Sequence, residues 1–84
     1  MSSVVYSANS LSVLKKMPAK DAERIRAKIR QYADDPSSLQ NNVRSLTGRP
    51  GLRLRIGDWR VLFTVDAAGD MKVLDIGPRG SIYG

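Results

Sequence analysis

Residues 51–63, GLRLRIGDWRVLF, alternate apolar and basic side chains around a Gly57-Asp58 dipeptide. Such alternation marks a strand pair with one buried face, because successive side chains on a strand point to opposite sides. Glycine in the first central position suits a two-residue type II′ turn, which requires positive φ there. That turn sets the pairing: Ile56 faces Trp59, Arg55 faces Arg60, Leu54 faces Val61 and Leu52 faces Phe63. The apolar set Leu52, Leu54, Ile56, Trp59, Val61 and Phe63 then lines the core side, and Arg53, Arg55 and Arg60 line the other. A slip of one residue would turn every one of these side chains to the wrong face.

A third strand signal, MKVLDI (71–76), extends this sheet. With residues 67–70 as the loop, Asp66 faces Met71, Phe63 faces Leu74, Leu62 faces Asp75, Val61 faces Ile76 and Arg60 faces Gly77. Asp75, Gly77 and Arg79 fall on the arginine face, and Pro78 fixes the exit of the strand. Upstream, SVVYS (3–7) reads as an opening strand. Asn9 or Ser10 can cap a short helix carrying Leu11, Leu14 and Met17, and Pro18 ends it. A second helix spans about residues 19–33, with Ala22, Ile25, Ile29 and Tyr32 as its apolar stripe and Lys20, Arg24, Lys28 and Arg30 on a solvated surface. Residues 34–42 read as a loop and 43–51 as a lead-in ending in turn residues. The expected class is α+β: a single domain over residues 1–84 of order βααβββ, with two N-terminal helices packed on a small, mainly antiparallel sheet. Trp59 and Tyr32 belong to the core of that arrangement, and Tyr6 fits either a strand or a groove.

Charge and composition narrow the chemistry. The chain holds 14 Lys and Arg against 8 Asp and Glu, a net charge of +6 that favours nucleic acid or an acidic protein. It has no cysteine, so no disulfide or thiolate site, and no histidine, the commonest general acid, general base and metal ligand. No metal and no cofactor is expected. No run of 18 apolar residues exists to span a membrane, and the N-terminus lacks the pattern of a signal peptide. Together with the missing cysteines this fits a cytoplasmic protein.

Arg55 opposite Arg60 is unfavourable by itself. Two cations about 5 Å apart repel by roughly 0.8 kcal/mol at the dielectric of water and roughly 3 kcal/mol at an effective value of 20. Asp58 and Asp75 can offset part of this, Asp75 most simply as a salt-bridge partner. A bound phosphate would offset more, because guanidinium groups grip phosphate oxygens through parallel hydrogen bonds.

On LTGRPGLRLRIGDWRVLFTV (residues 46–65), IGPRGSIYG (76–84) and the βααβββ order, the chain resembles the RelE/ParE superfamily of bacterial toxins, the RelE branch more closely. The resemblance implies a ribosome-dependent messenger-RNA endonuclease, which cuts the codon in the ribosomal A site by attack of the RNA's own 2′-hydroxyl. It implies Arg55, Arg60, Arg79 and Tyr83 as catalytic residues and Arg53 among the RNA contacts. Apart from the resemblance, Arg44 and Arg49 are candidate contacts to the RNA backbone, or plain surface charge. The resemblance also implies a cognate antitoxin, the ribosome and mRNA as partners, and operator DNA only through the antitoxin complex. Relatives known to be active carry lysine at the positions of Arg53 and Arg55. Arginine stays protonated, so proton transfer falls to Tyr83, Asp75 or groups of the ribosome. Two other readings stay open: a ParE-type toxin that inhibits DNA gyrase, and a non-catalytic nucleic-acid binder or decayed toxin.

Overall fold

Where alternating residues dominate, the chain forms a sheet, and the two stretches of helical periodicity cover one side of it. The computed structural model describes residues 2–80. In chain order these form β1 (Val4–Tyr6), α1 (Ala8–Lys16), α2 (Ala19–Asp34), a 3-10 segment (Pro36–Asn42), β2 (Val43–Ser45), β3 (Leu52–Ile56), β4 (Trp59–Val65) and β5 (Met71–Pro78). The strands make one five-stranded sheet in the order β1-β5-β4-β3-β2. β1 runs parallel to β5, and every other pairing is antiparallel. The α+β class is therefore as expected, with one strand more than βααβββ. The extra strand, β2, pairs Val43 with Leu54, Arg44 with Arg53 and Ser45 with Leu52. Three residues carry too little alternation to be read as a strand in advance. Among the described residues no helix is long and apolar enough to cross a membrane.

The helices begin and end for identifiable reasons. Ser7, not Asn9 or Ser10, caps α1: its Oγ accepts from the Ser10 backbone N–H at 3.0 Å. This start places Ser10, Leu14 and Met17 inward, while Leu11 is left 37% exposed, contrary to the sequence reading. Met17 is extended (φ −89°, ψ 164°), as a residue before proline must be, and Pro18 then opens α2. α2 presents Ile25, Ile29 and Ala33 to the sheet, flanked by Ala22 and Tyr32.

The core lies between this stripe and the inner face of the sheet. Phe63, Ile25, Ile29, Leu54, Val61 and Val73 are fully buried, each contributing roughly 1.5–3 kcal/mol by leaving water. Tyr32 meets Phe63 edge-on with ring centroids 4.9 Å apart, and Trp59 packs at the margin of the same cluster. Tyr6 is half-buried against the core with the Arg26 guanidinium 5.4 Å from its ring centroid.

The β3–β4 hairpin has the register that alternation dictates, from Ile56 opposite Trp59 to Leu52 opposite Phe63. Gly57 has φ +58° and no non-glycine residue has positive φ among the described residues, the signature of the II′ turn. The next hairpin departs from expectation. Arg60 faces Gly77, Val61 faces Ile76 and Leu62 faces Asp75, but then Phe63 faces Val73 and Val65 faces Met71. Leu74 is the extra residue of a β-bulge and is 39% exposed. The predicted pairs Phe63–Leu74 and Asp66–Met71 are thus replaced. Asp66 instead closes the loop, its carboxylate accepting from the N–H groups of Ala68 and Asp70 at 3.0 and 2.9 Å. Ser7 holds the bulge: its Oγ donates to the Leu74 carbonyl at 2.8 Å and its N–H to that of Val73 at 2.9 Å.

Candidate functional site

Three adjacent strands bring arginines to the face away from the helices. Register places Arg44 of β2 opposite Arg53 of β3, and Arg55 of β3 opposite Arg60 of β4. Arg53 and Arg55 are two residues apart on one strand, so they share a face. The result is two rows of paired guanidinium groups. Arg44, Arg53, Arg55 and Arg60 together line a cavity of about 170 Å³, with Asn41 and Asn42 on its rim. Among the described residues the only cation–carboxylate contact within 4.0 Å is Arg30–Asp34, at 3.2 Å. Arg44, Arg55 and Arg60 therefore have no carboxylate partner there.

Arg60 is anchored from within. Its Nη1 donates to the carbonyls of Gly57 and Trp59, both at 3.0 Å. These bonds fold the guanidinium back toward the turn and leave the donors on Nε and Nη2 for a ligand. Opposite it, Gly77 is buried. Leu62, paired with Arg53 and Asp75 on this same face, is only 4% exposed, so the centre of the face is closed rather than solvated.

The remaining candidates fall around this cavity. Arg79 lies outside its lining but is tied to the hairpin, its N–H donating to the Asp58 carbonyl at 2.7 Å. Arg49 sits exposed in the β2–β3 connection, also outside the lining. Tyr83 lies outside the described residues. Asp75 forms no salt bridge among the described residues; its Oδ1 accepts from the Asn9 side-chain amide and from the Ile76 N–H. The direct salt bridge expected of this carboxylate is accordingly not formed among the described residues. At Tyr6 the titration clearly moves. Burial pushes its hydroxyl above the ordinary 10.0, and the nearby Arg26 and Arg30 work in the opposite direction.

Sequence reasoning missed Asn41, Asn42 and the Arg44–Arg53 pairing. The available signal was the single inward-outward step from Val43 to Arg44, too short to stand alone.

Residues 4–83 match the family of the ParE toxin of type II toxin-antitoxin systems. The protein belongs to that family, within the RelE/ParE superfamily. A search of curated proteins by sequence finds no match. Solved structures share the fold of this toxin. RelE in the archaeal RelE–RelB complex of Pyrococcus horikoshii OT3 superposes with a TM-score of 0.79 at 24% identity, covering 95% of this chain and 97% of that one. The isolated E. coli RelE toxin gives 0.75 at 16% identity, with 94% and 85% covered. The RelB–RelE antitoxin–toxin complex of Methanococcus jannaschii gives 0.73 at 19%, with 93% of each chain covered. In this toxin the surface opposite the helices is the one that carries the arginine cavity.

Proposed function

We propose that the toxin is a ribosome-dependent messenger-RNA endonuclease, and that the arginine cavity receives the scissile phosphodiester. The observation that carries this reading is the meeting of four arginines from three strands in one cavity with no paired acid for Arg44, Arg55 or Arg60 among the described residues. In the reaction the RNA 2′-oxygen attacks the adjacent phosphorus and the 5′-oxygen leaves. The products are a 2′,3′-cyclic phosphate and a free 5′-hydroxyl. Negative charge grows on the phosphorane oxygens, where Arg55, Arg60 and Arg79 act as donors. Arg53, Arg44 and Arg49 bind the flanking backbone. The attacking hydroxyl loses a proton and the leaving oxygen gains one. No arginine can accept that proton; the Oδ1 of Asp75 accepts two hydrogen bonds, which leaves its Oδ2 as an acceptor. The transfer therefore falls to Tyr83, to Asp75 or to the ribosome. Alignment by the ribosome supplies much of the acceleration, since good orientation of reacting groups is worth several kcal/mol.

Purified toxin added to programmed ribosomes should cut the message in the A site and leave cyclic-phosphate ends. Arg60→Ala should slow cleavage by about 10²–10³, the usual effect of removing one transition-state donor. Intact message at stoichiometric toxin would refute the reading. The match to the ParE family favours a second reading, inhibition of DNA gyrase; DNA breaks without cut messages on induction would select it. The likeness to toxins solved with antitoxins supports a cognate antitoxin partner, with operator DNA reached only through that complex.

A further inference from the structure

We infer that the anion site continues past the β3–β4 turn onto α2, where Arg24 and Lys28 hold the next stretch of a single-stranded RNA. The inference rests on the proposed RNA reading of the arginine cavity and states where the strand leaves it. A second concavity of about 210 Å³ lies beside the first, with Arg24 and Lys28 on one wall and Leu39 and Ile56 among its apolar residues. Asn42 and Arg55 line both, so the two adjoin.

The turn joins them physically. A Cβ on Gly57 would stand 2.9 Å from Nη2 and 3.1 Å from Nη1 of Arg24, while the Gly57 carbonyl accepts from Arg60 Nη1 at 3.0 Å. Guanidinium groups from α2 and from β4 thus meet at one turn residue. Arg24 and Lys28 are four apart, on one face of the helix, where like charges disfavour each other. Arg24 has no carboxylate within 4.0 Å among the described residues. Arg24 is exposed and Lys28 partly so, in keeping with the solvated surface expected for them, and the Arg24 guanidinium is at the same time turned toward the hairpin. Leu39 and Ile56 are almost wholly buried and only floor this concavity; single-stranded RNA matches its polar parts, with phosphates for the cations and 2′-hydroxyls for the Asn42 amide.

The test is a fluorescence-anisotropy titration with two single-stranded RNAs, a dinucleotide and a strand of roughly ten nucleotides. With the double variant Arg24→Gln/Lys28→Gln, the longer strand should bind about 5–10-fold more weakly at low salt. Its dependence of log K on log[salt] should flatten by about 1.4, or about 0.7 per lost phosphate contact. Binding of the dinucleotide should not change. Lys28→Gln alone should flatten the dependence by about 0.7, which keeps the test valid if loss of Arg24 disturbs the turn. Unchanged affinity and salt dependence in these variants, with Arg55→Gln weakening both RNAs, would overturn the extension and leave the proposed function standing. If Arg55→Gln weakens neither RNA, the arginine cavity is not an RNA site and the extension falls with it. Loss of antitoxin binding with RNA binding intact would assign the surface to the protein partner and overturn the inference.

Discussion

The two faces of the β3–β4 hairpin are built from the same residues in turn, yet they obey different rules. On the inner face Leu54, Val61 and Phe63 have no measurable exposure and pack against Ile25 and Ile29. On the outer face Arg53, Arg55 and Arg60 gather beside Arg44 around a cavity. The inner face lowers the free energy of the fold, and the outer face raises it through repulsion between like charges. A chain that tolerates the second must draw its stability from the first. The difference teaches which substitutions should affect folding and which should affect only the ligand.

The sharpest break is Phe63→Ala. It empties the centre of the inner face, and urea unfolding should show a loss of about 3–5 kcal/mol. Full stability in that variant would mean that the inner face is not the source of the fold's stability. Gly57→Ala attacks the pivot that assigns residues to faces. Its φ of +58° and the adjacent Arg24 guanidinium leave no room for a Cβ without movement. The expected cost is about 1–2 kcal/mol by the same measurement. Arg55→Gln should do the reverse of Phe63→Ala. Stability should hold or rise by up to about 1 kcal/mol as the Arg55–Arg60 repulsion disappears, while RNA binding weakens. A large loss of stability would show that the outer face is structural after all.

The smallest expected effect belongs to Tyr6, at the far edge of the inner face. Its hydroxyl titrates above 10.0 in the folded protein because burial disfavours the phenolate. The unfolded chain therefore loses this proton first as pH rises. The contribution is intact below the unfolded value and fades as pH climbs through the folded one. Tyr6→Phe should remove that part of the alkaline decline in melting temperature and change nothing near neutrality.

Much of this division was legible in the sequence. Ten residues of alternation flanking Gly57-Asp58 specify the β3–β4 register, the buried set and three members of the arginine cluster. The second hairpin was legible only as far as Leu62–Asp75, because Val73 and Leu74 are both apolar and alternation cannot say which one points inward. The bulge resolves this by burying Val73 and exposing Leu74, with Ser7 satisfying the Leu74 carbonyl. Arg44 was visible as a charge but not as a partner of Arg53, since β2 is three residues long. The role of Arg24 and Lys28 was hidden for a related reason. Helical periodicity shows which residues leave the core, but not what stands opposite them once the hairpin is in place.

Arg60 and Arg55 also differ in when their freedom is given up. Arg55 is exposed, whereas Arg60 is already clasped by two carbonyls of its own turn. Immobilising a long side chain costs about 0.5–1.5 kcal/mol. For Arg60 that entropy is surrendered as the hairpin closes, so an arriving anion meets a stationary charge. For Arg55 the same loss is deferred until contact.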